Sequence, residues 1–545
     1  MISKRLNAPI AQIAVEFDEK KIDAIFADIN QCHLPGAAVG IAIGGKPVYR
    51  KGFGLASIEL PVVLSPSIRM RIYSITKHFT CFAYLLLCEE GRVGIDDPLG
   101  KYFPEFHPVS HKVTMRQLMG NVGGLRDPKD IWWQFSGIQR DVAIAELLSL
   151  HRDIDDVDFA PGTSFGYNNG GFMLLTAVIE KVTGQRLEDV FRTRVFQPIG
   201  MYDTLLRRFD TDFVPNSATM HMTQEAGGFN RSYAPGERAG EGGMVSTVDD
   251  MLRWLAHMDA PVVGSAETWT LMKTPLRLSN GISTGYALGL MAGQYRGVEM
   301  LHHTGGGMGA NARMLKVPAA GLDITIMVNR HDAIGTTLTN RILDACLPGL
   351  DPVKESGSGP VVTGTFHSPK TGRVIQLSAS SNAAWAKGGR QIASINGLDM
   401  VVEPGDDGAL RPAGVFDFEK QRVMTLIGDR ENPSAIRLSD FGNLDDLERV
   451  QPPAEFEMGT IVGRYRSDST RTEATICKTD DGPRLNTVGL FGSAQFKLEC
   501  LGNGVWSAKP MGLLPWGGVL SFDRDGAVFR FTTFQMPSLP FRRVA

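Results

Sequence analysis

Ser74 and Lys77 stand three positions apart at the head of an apolar run that continues through Phe82-Ala-Tyr-Leu-Leu-Leu-Cys88. A serine hydroxyl at its ordinary acidity is a poor nucleophile, so a nearby base must take its proton as it attacks a carbonyl. Residues three apart on a helix share one face, which would bring the lysine amine to the hydroxyl without help from the rest of the fold. Burial would disfavour the charged ammonium and leave an amine fit to accept that proton. Two further polar clusters follow, Tyr167-Asn168-Asn169 and His303-Thr304-Gly305. The three together imply a lysine-assisted serine hydrolase.

Each cluster also has a plainer reading. A Ser-x-x-Lys is expected about once by chance in a chain of this length, as a capped helix with a solvated lysine. Its position adds weight, because a helix start carries backbone amides that can hold a developing oxyanion. Tyr167 and Asn169 follow the turn-rich stretch Phe159-Ala-Pro161-Gly162-Thr-Ser-Phe165 and precede a helix expected over Gly171 to Lys181. Alone they would be a structural tyrosine and a capping asparagine. Beside a Ser–Lys pair, Tyr167 gains a role as proton relay to the leaving group. Asn169 could then donate its amide to a substrate carbonyl and accept from Lys77. His303-Thr304-Gly305-Gly306 precedes a strand expected at Ala312 to Val317, and a glycine-rich strand edge admits a substrate backbone. An amide near Gly305 or Gly306 would complete an oxyanion hole opened by the Ser74 amide, with His303 lining the pocket beside Tyr167. Alternation puts His302 on the opposite face, and the plain reading of the whole segment is a bulge beside a surface histidine.

The elements that must position these residues can be read up to about residue 350. Ala37 to Ile43 and Pro47 to Arg50 read as strands around the turn Gly44-Gly45-Lys46. A helix from Ser74 to about Glu90 ends at Gly91, and another starts at Ser246-Thr247 with Asp249 and Asp250 in its first turn. Leu322 to Val328 is an apolar run of the buried kind. The segment 351–360 has linker composition, and the rest is β-rich, split by Gln451-Pro-Pro-Ala454. Both pieces open alike, Gly364-Thr-Phe366-His-Ser368 and Gly463-Arg-Tyr465-Arg-Ser467, which suggests two related β-barrels. The expected domains are 1–350, 351–453 and 454–545.

Composition narrows the class of function without choosing it. At 545 residues the chain is too long for one core, and 56 Lys+Arg against 59 Asp+Glu give no footprint for nucleic acid or an acidic membrane. No apolar run approaches a bilayer span, and the opening residues lack the uninterrupted apolar region of a secretory signal. Cysteines at 32, 81, 88, 346, 477 and 500 show no metal-like spacing, and their usage suits a reducing cytoplasm.

At this point the chain resembles the serine β-lactamase and penicillin-binding-protein superfamily, whose elements are Ser-x-x-Lys, Tyr-x-Asn and Lys/His-Thr/Gly-Gly. Similar phrases recur in the same order: Gly91-Arg-Val-Gly-Ile-Asp-Asp-Pro98, Val113-Thr-Met-Arg-Gln-Leu118 with Gly123-Gly-Leu125, Pro161-Gly162, Gly200-Met201 and Gly242-Gly-Met-Val-Ser-Thr247. The likeness covers roughly 20 to 345. A catalytic domain followed by two antiparallel barrels looks like the bacterial D-aminopeptidase branch, and the resemblance implies a multidomain protein with an α/β (α+β) β-lactamase/transpeptidase-like domain first. It also implies removal of an N-terminal D-residue from small peptides, amides or esters through an acyl-enzyme, no metal or other cofactor, and a homodimer. Carried over residue by residue, Ser74 is the nucleophile, Lys77 its base, Tyr167 the proton shuttle, Asn169 a substrate holder and His303 a pocket residue.

The chain departs from that branch twice. Relatives bring a loop with negative charge from the last barrel to the catalytic mouth, whereas Lys509-Pro-Met-Gly-Leu-Leu-Pro-Trp-Gly-Gly518 has no carboxylate. Its apolar members Met511, Leu513, Leu514 and Trp516 would favour hydrophobic acyl groups, or would simply pack the barrel. Met308 and Asn311 also stand where those relatives carry arginines. Alternatives to an aminopeptidase are an esterase of broad acyl preference, a non-catalytic peptide binder of the same fold, and a β-lactamase or transpeptidase, which the missing export signal disfavours.

Overall fold

The apolar runs Ala37–Ile43 and Leu322–Val328 form strands buried on both faces, and they pair antiparallel from Ala37↔Val328 to Ile43↔Leu322. The two ends of the first 350 residues therefore meet in one sheet. The computed structural model describes residues 13–137, 139–224, 226–352, 361–379, 391–413, 421–451, 460–512 and 516–544. They fall into two units: Met1–Asp96, Phe172–Leu276 and Gly285–Val353 form the first, and Asp97–Gly171, Arg277–Thr284 and Lys354–Ala545 the second.

In the first unit six strands lie in the order Met291–Tyr295, Val298–Gly307, Ala310–Val317, Leu322–Val328, Ala37–Ile43 and Lys46–Phe53. Every pairing is antiparallel. Helix Val248–His257 packs closely because Gly40 has no side chain; a Cβ there would stand 2.5 Å from Val248 Cγ1. Helices Glu19–Ile25 and Gly335–Cys346 share another core, in which Ile22, Phe26 and Ile342 are fully enclosed with Val39, Ile41 and Ile324 of the sheet. The helix expected to open at Ser74 begins at Thr76 and ends at Glu89, with Tyr73–Ile75 as a 3₁₀ turn before it. Among the described residues no helix is long and apolar enough to cross a membrane.

The second unit contains two closed eight-stranded antiparallel barrels, with strands from Gly364–His367 to Asn443–Arg449 and from Gly463–Ser467 to Leu539–Arg543. Alternation fills them: in Thr472–Thr479 the residues Thr472, Ala474 and Ile476 are buried and Glu473 and Thr475 exposed. The repeated opening is visible in how each barrel closes. Phe366 pairs with Arg449 and Tyr465 with Arg543, and each guanidinium lies over its ring, 5.2 Å and 4.9 Å from the centroid. A Cβ on Gly364 or on Gly463 would stand 2.6 Å from that arginine's Nη1, so both glycines clear the same space. The linker read at 351–360 lies outside the described residues from 353 on, and the break at 451–454 from 452 on. Segments 97–171 and 277–284 group with the barrels. Helix Pro128–Ser136 supplies one reason, since its Phe135 ring sits 5.2 Å from Phe531 and 5.4 Å from Phe541.

Candidate active site

The turn carrying Ser74 is held in an uncommon backbone shape. Tyr73 has φ +45°, a left-handed conformation that a residue with a Cβ adopts only when its surroundings enforce it. Its hydroxyl donates to Met220 Sδ at 2.8 Å, and its ring fills the space where a Cβ on Gly307 would come within 2.3 Å. Ser74 stays partly exposed, while Ile72, Tyr73, Ile75 and Thr76 on either side are buried. The side chain chosen for access is the hydroxyl.

Lys77 is 0 % exposed, and its Nζ lies 3.1 Å from Ser74 Oγ. The amine also donates to the Glu241 backbone carbonyl at 2.7 Å and sits 5.3 Å from the centre of the Phe172 ring. The loop bearing that carbonyl is tied on both sides. Thr80 Oγ1 donates to Gly240 O at 2.8 Å, the Gly240 amide donates to Thr176 Oγ1 at 3.0 Å, and the Ala239 amide donates to Glu241 Oε2 at 2.9 Å. A Cβ on Gly240 would lie 2.5 Å from Thr176 Oγ1, which explains a glycine there. Sequence reading quoted the phrase Gly242 to Thr247 beside this loop but assigned it no part, because a backbone acceptor has no side-chain signature.

The strand Val298–Gly307 reaches the same turn. Its neighbour Met291–Tyr295 stops opposite His302, so among the described residues no strand pairs with 303–307 on that side. The Ser74 turn packs there: a Cβ on Gly305 would stand 2.0 Å from Ile72 O and 3.1 Å from the Ser74 amide nitrogen. Gly306 is exposed with nothing beside it. His303 is fully enclosed. Its Nδ1 faces Thr304 O at 2.6 Å, which a carbonyl only accepts, so Nε2 is the acceptor for the Tyr286 hydroxyl at 3.1 Å. Burial, reinforced by the Lys77 charge, holds this imidazole well below its ordinary range and neutral. With no exposed surface and both nitrogens engaged, the ring suits a support beside Lys77 better than the pocket lining expected of it. His302 is buried as well.

Tyr167 and Asn169 belong to the second unit. Asn168, and not Asn169, caps helix Asn169–Thr183: its Oδ1 accepts the Gly171 amide at 2.8 Å, and its Nδ2 donates to Leu125 O at 2.6 Å. Asn169 is the first helical residue, and its amide donates to Asp127 Oδ2 at 2.6 Å. Asp127 also caps helix Pro128–Ser136 through the Lys129 amide at 2.9 Å, so one buried carboxylate sets both helix starts. Burial pushes this carboxyl up, against the amides that pull it down. Tyr167 is half-buried.

Of the loop Lys509 to Gly518, Leu513, Leu514 and Pro515 lie outside the described residues. Trp516 lies with its ring 6.3 Å from that of Trp133, and Lys129 Nζ sits 5.2 Å over Trp133. Met511 is 39 % exposed. Asn311 has a structural task that accounts for the departure from arginine: its Oδ1 accepts the Gly335 amide at 2.8 Å and its Nδ2 donates to Ala333 O at 2.8 Å, fixing the start of helix Gly335–Cys346. Among the described residues no group of three His, Cys, Asp or Glu could hold a metal ion.

An accessible serine on a strained turn, a buried amine behind it and a glycine-rich sheet edge define a serine hydrolase. The profile of the Beta-lactamase family matches residues 20–347, and the chain belongs to that family. It is 25 % identical over 487 residues to a D-aminopeptidase of Cereibacter sphaeroides, covering 87 % of each chain. It is 26 % identical over 483 residues to a D-aminopeptidase of Brucella anthropi, covering 86 % of this chain and 85 % of that one. A penicillin-binding protein homologue from Pyrococcus abyssi, described as octameric, superposes with TM-score 0.57 at 20 % identity over 79 % of this chain and 100 % of that one. D-amino acid amidase from Ochrobactrum anthropi SV3, in complex with L-phenylalanine amide, gives TM-score 0.51 at 22 % identity over 60 % and 97 %.

Proposed function

We propose that the chain hydrolyses small amide or peptide substrates through an acyl-enzyme on Ser74, releasing an N-terminal D-residue. The observation that carries the reading is the 3.1 Å approach of the buried Lys77 amine to Ser74 Oγ. Lys77 in its neutral form takes the hydroxyl proton as Oγ attacks the substrate carbonyl. The Ser74 amide and an edge amide at Gly305 or Gly306 receive the oxyanion. Tyr167 passes the proton to the departing amine, Asn169 holds the substrate, and water then releases the acyl group. His303 keeps the ring beside Lys77 neutral and fixed. The D-residue preference rests on the two relatives named D-aminopeptidase. No cofactor is invoked, and the same reading carries a cytoplasmic setting and a homodimer.

A panel of D- and L-amino-acid anilides, dipeptides and aryl esters, run on the wild type and on Ser74→Ala, tests it. D-anilide and D-peptide turnover that vanishes in the variant is the expected result. Ester turnover alone would move the reading to an esterase, and turnover surviving in Ser74→Ala would remove the nucleophile.

A further inference from the structure

The second unit encloses a cavity of about 770 Å³ that has Tyr167 in its wall, together with residues of 156–166 and of both barrels. That volume is in the range of pockets for small organic ligands. Five Lys or Arg side chains and four Asp side chains line it. The carboxylates are all taken up by the protein itself. Arg126 donates to Asp156 at 2.6 Å and to Asp158 at 2.8 Å. Asp440 accepts from Arg373 and Arg422, each at 3.0 Å. Asp445 accepts the hydroxyls of Ser368 and Thr371, each at 2.6 Å.

The cations are not used up in the same way. Among the described residues Lys370 and Arg530 have no ion pair. Arg422 lies over the Phe534 ring at 5.1 Å, and its buried Nη1 meets no acceptor among those residues. A buried guanidinium nitrogen without an acceptor is costly unless a ligand supplies one. The wall therefore presents donors and positive charge, and it presents them in the cavity that Tyr167 lines.

We infer that this cavity binds the free C-terminal carboxylate of the peptide on the leaving side of the scissile bond, with Arg422 and Arg530 as its donors. The inference rests on the hydrolase reading above and adds what that reading leaves open, the chemistry of the leaving group. Peptides would be preferred over amides and anilides that have no carboxylate, and a peptide of about two residues would span from a relay at Tyr167 to the basic wall.

Calorimetry on the full-length Ser74→Ala protein with alanyl-glycine and alanyl-glycinamide tests it, repeated in the Arg530→Gln and Arg422→Lys backgrounds. The acid is expected to bind about tenfold tighter than the amide, the scale of one charge-assisted hydrogen bond. The difference should shrink toward unity in both arginine variants. Equal binding of acid and amide, or a preference that survives both substitutions in folded protein, overturns the assignment. Hydrolysis of D-alanyl-alanyl-glycine by the wild type is read separately. Its absence alongside carboxylate-dependent binding sinks the hydrolase reading and leaves the cavity assignment standing.

Discussion

An amine enclosed at 0 % exposure is a stability liability, and Lys77 keeps it beside a hydroxyl that has no structural need of it. Methionine fills a similar volume without charge. Lys77→Met is therefore expected to melt at or above the wild-type temperature while kcat/KM falls by about 10² to 10⁴, the usual worth of a general base. Retained activity would remove the lysine from the mechanism. Its neighbour His78 makes a separate prediction. The ring is fully buried against Phe79 and Trp254, at 4.5 Å and 5.5 Å, and burial lowers it from 6.5 to about 3. The unfolded chain takes up this proton below pH 6.5 and the native state does not. Stability is thus fully present above 6.5 and lost as pH falls from there toward about 3. Urea midpoints measured between pH 7 and 5 should fall, and His78→Met should flatten that slope; an unchanged slope contradicts the sign. Ser74 and Lys77 were legible because their chemistry is in their side chains. Tyr73 was not, since its left-handed backbone is imposed by Met220 and Gly307, which are remote in sequence.

At the scale of elements, the site is a helix start pressed onto a strand end. Gly305→Ala would set a Cβ 2.0 Å from Ile72 O, a backbone atom that cannot step aside. Loss of activity with a lowered melting temperature is expected, and a variant of normal rate would show that the turn and the strand are not coupled. Asp127→Ala removes one acceptor from two helix starts. It should cost about 1 to 2 kcal/mol in urea unfolding and slow turnover through Asn169; stability lost at full activity would separate the cap from the site. Patterning showed the helix after Ser74, the strands at Ala37 and Leu322 and the cap at Thr247, because each is a local periodicity. The choice of Asn168 over Asn169 as cap was invisible, since two adjacent asparagines differ only in which one finds Leu125 O and the Gly171 amide.

For the whole molecule, the tail was legible as a duplication because its two copies solve one steric problem, a glycine beneath an arginine that closes each barrel. The grouping of 97–171 with the barrels was not legible, as it depends on ring contacts such as Phe135 with Phe531 that join distant parts of the chain. We propose 1–350, 351–453 and 454–545 as the domains of the chain all the same. Because Thr487 Oγ1 donates to Phe135 O at 2.9 Å, removing the last barrel would strip partners from helix Pro128–Ser136. The truncated chain is expected to lose stability as well as substrate range, read by melting and by the substrate panel; an unaltered melt would show that the barrel is an appendage. The central claim is a covalent one. Intact mass of the full-length protein after treatment with a serine-directed phosphonate, followed by peptide mapping, measures it directly. One adduct on the peptide that carries Ser74, absent from Ser74→Ala, is the predicted result, whereas an adduct elsewhere or one that persists in the variant contradicts the account.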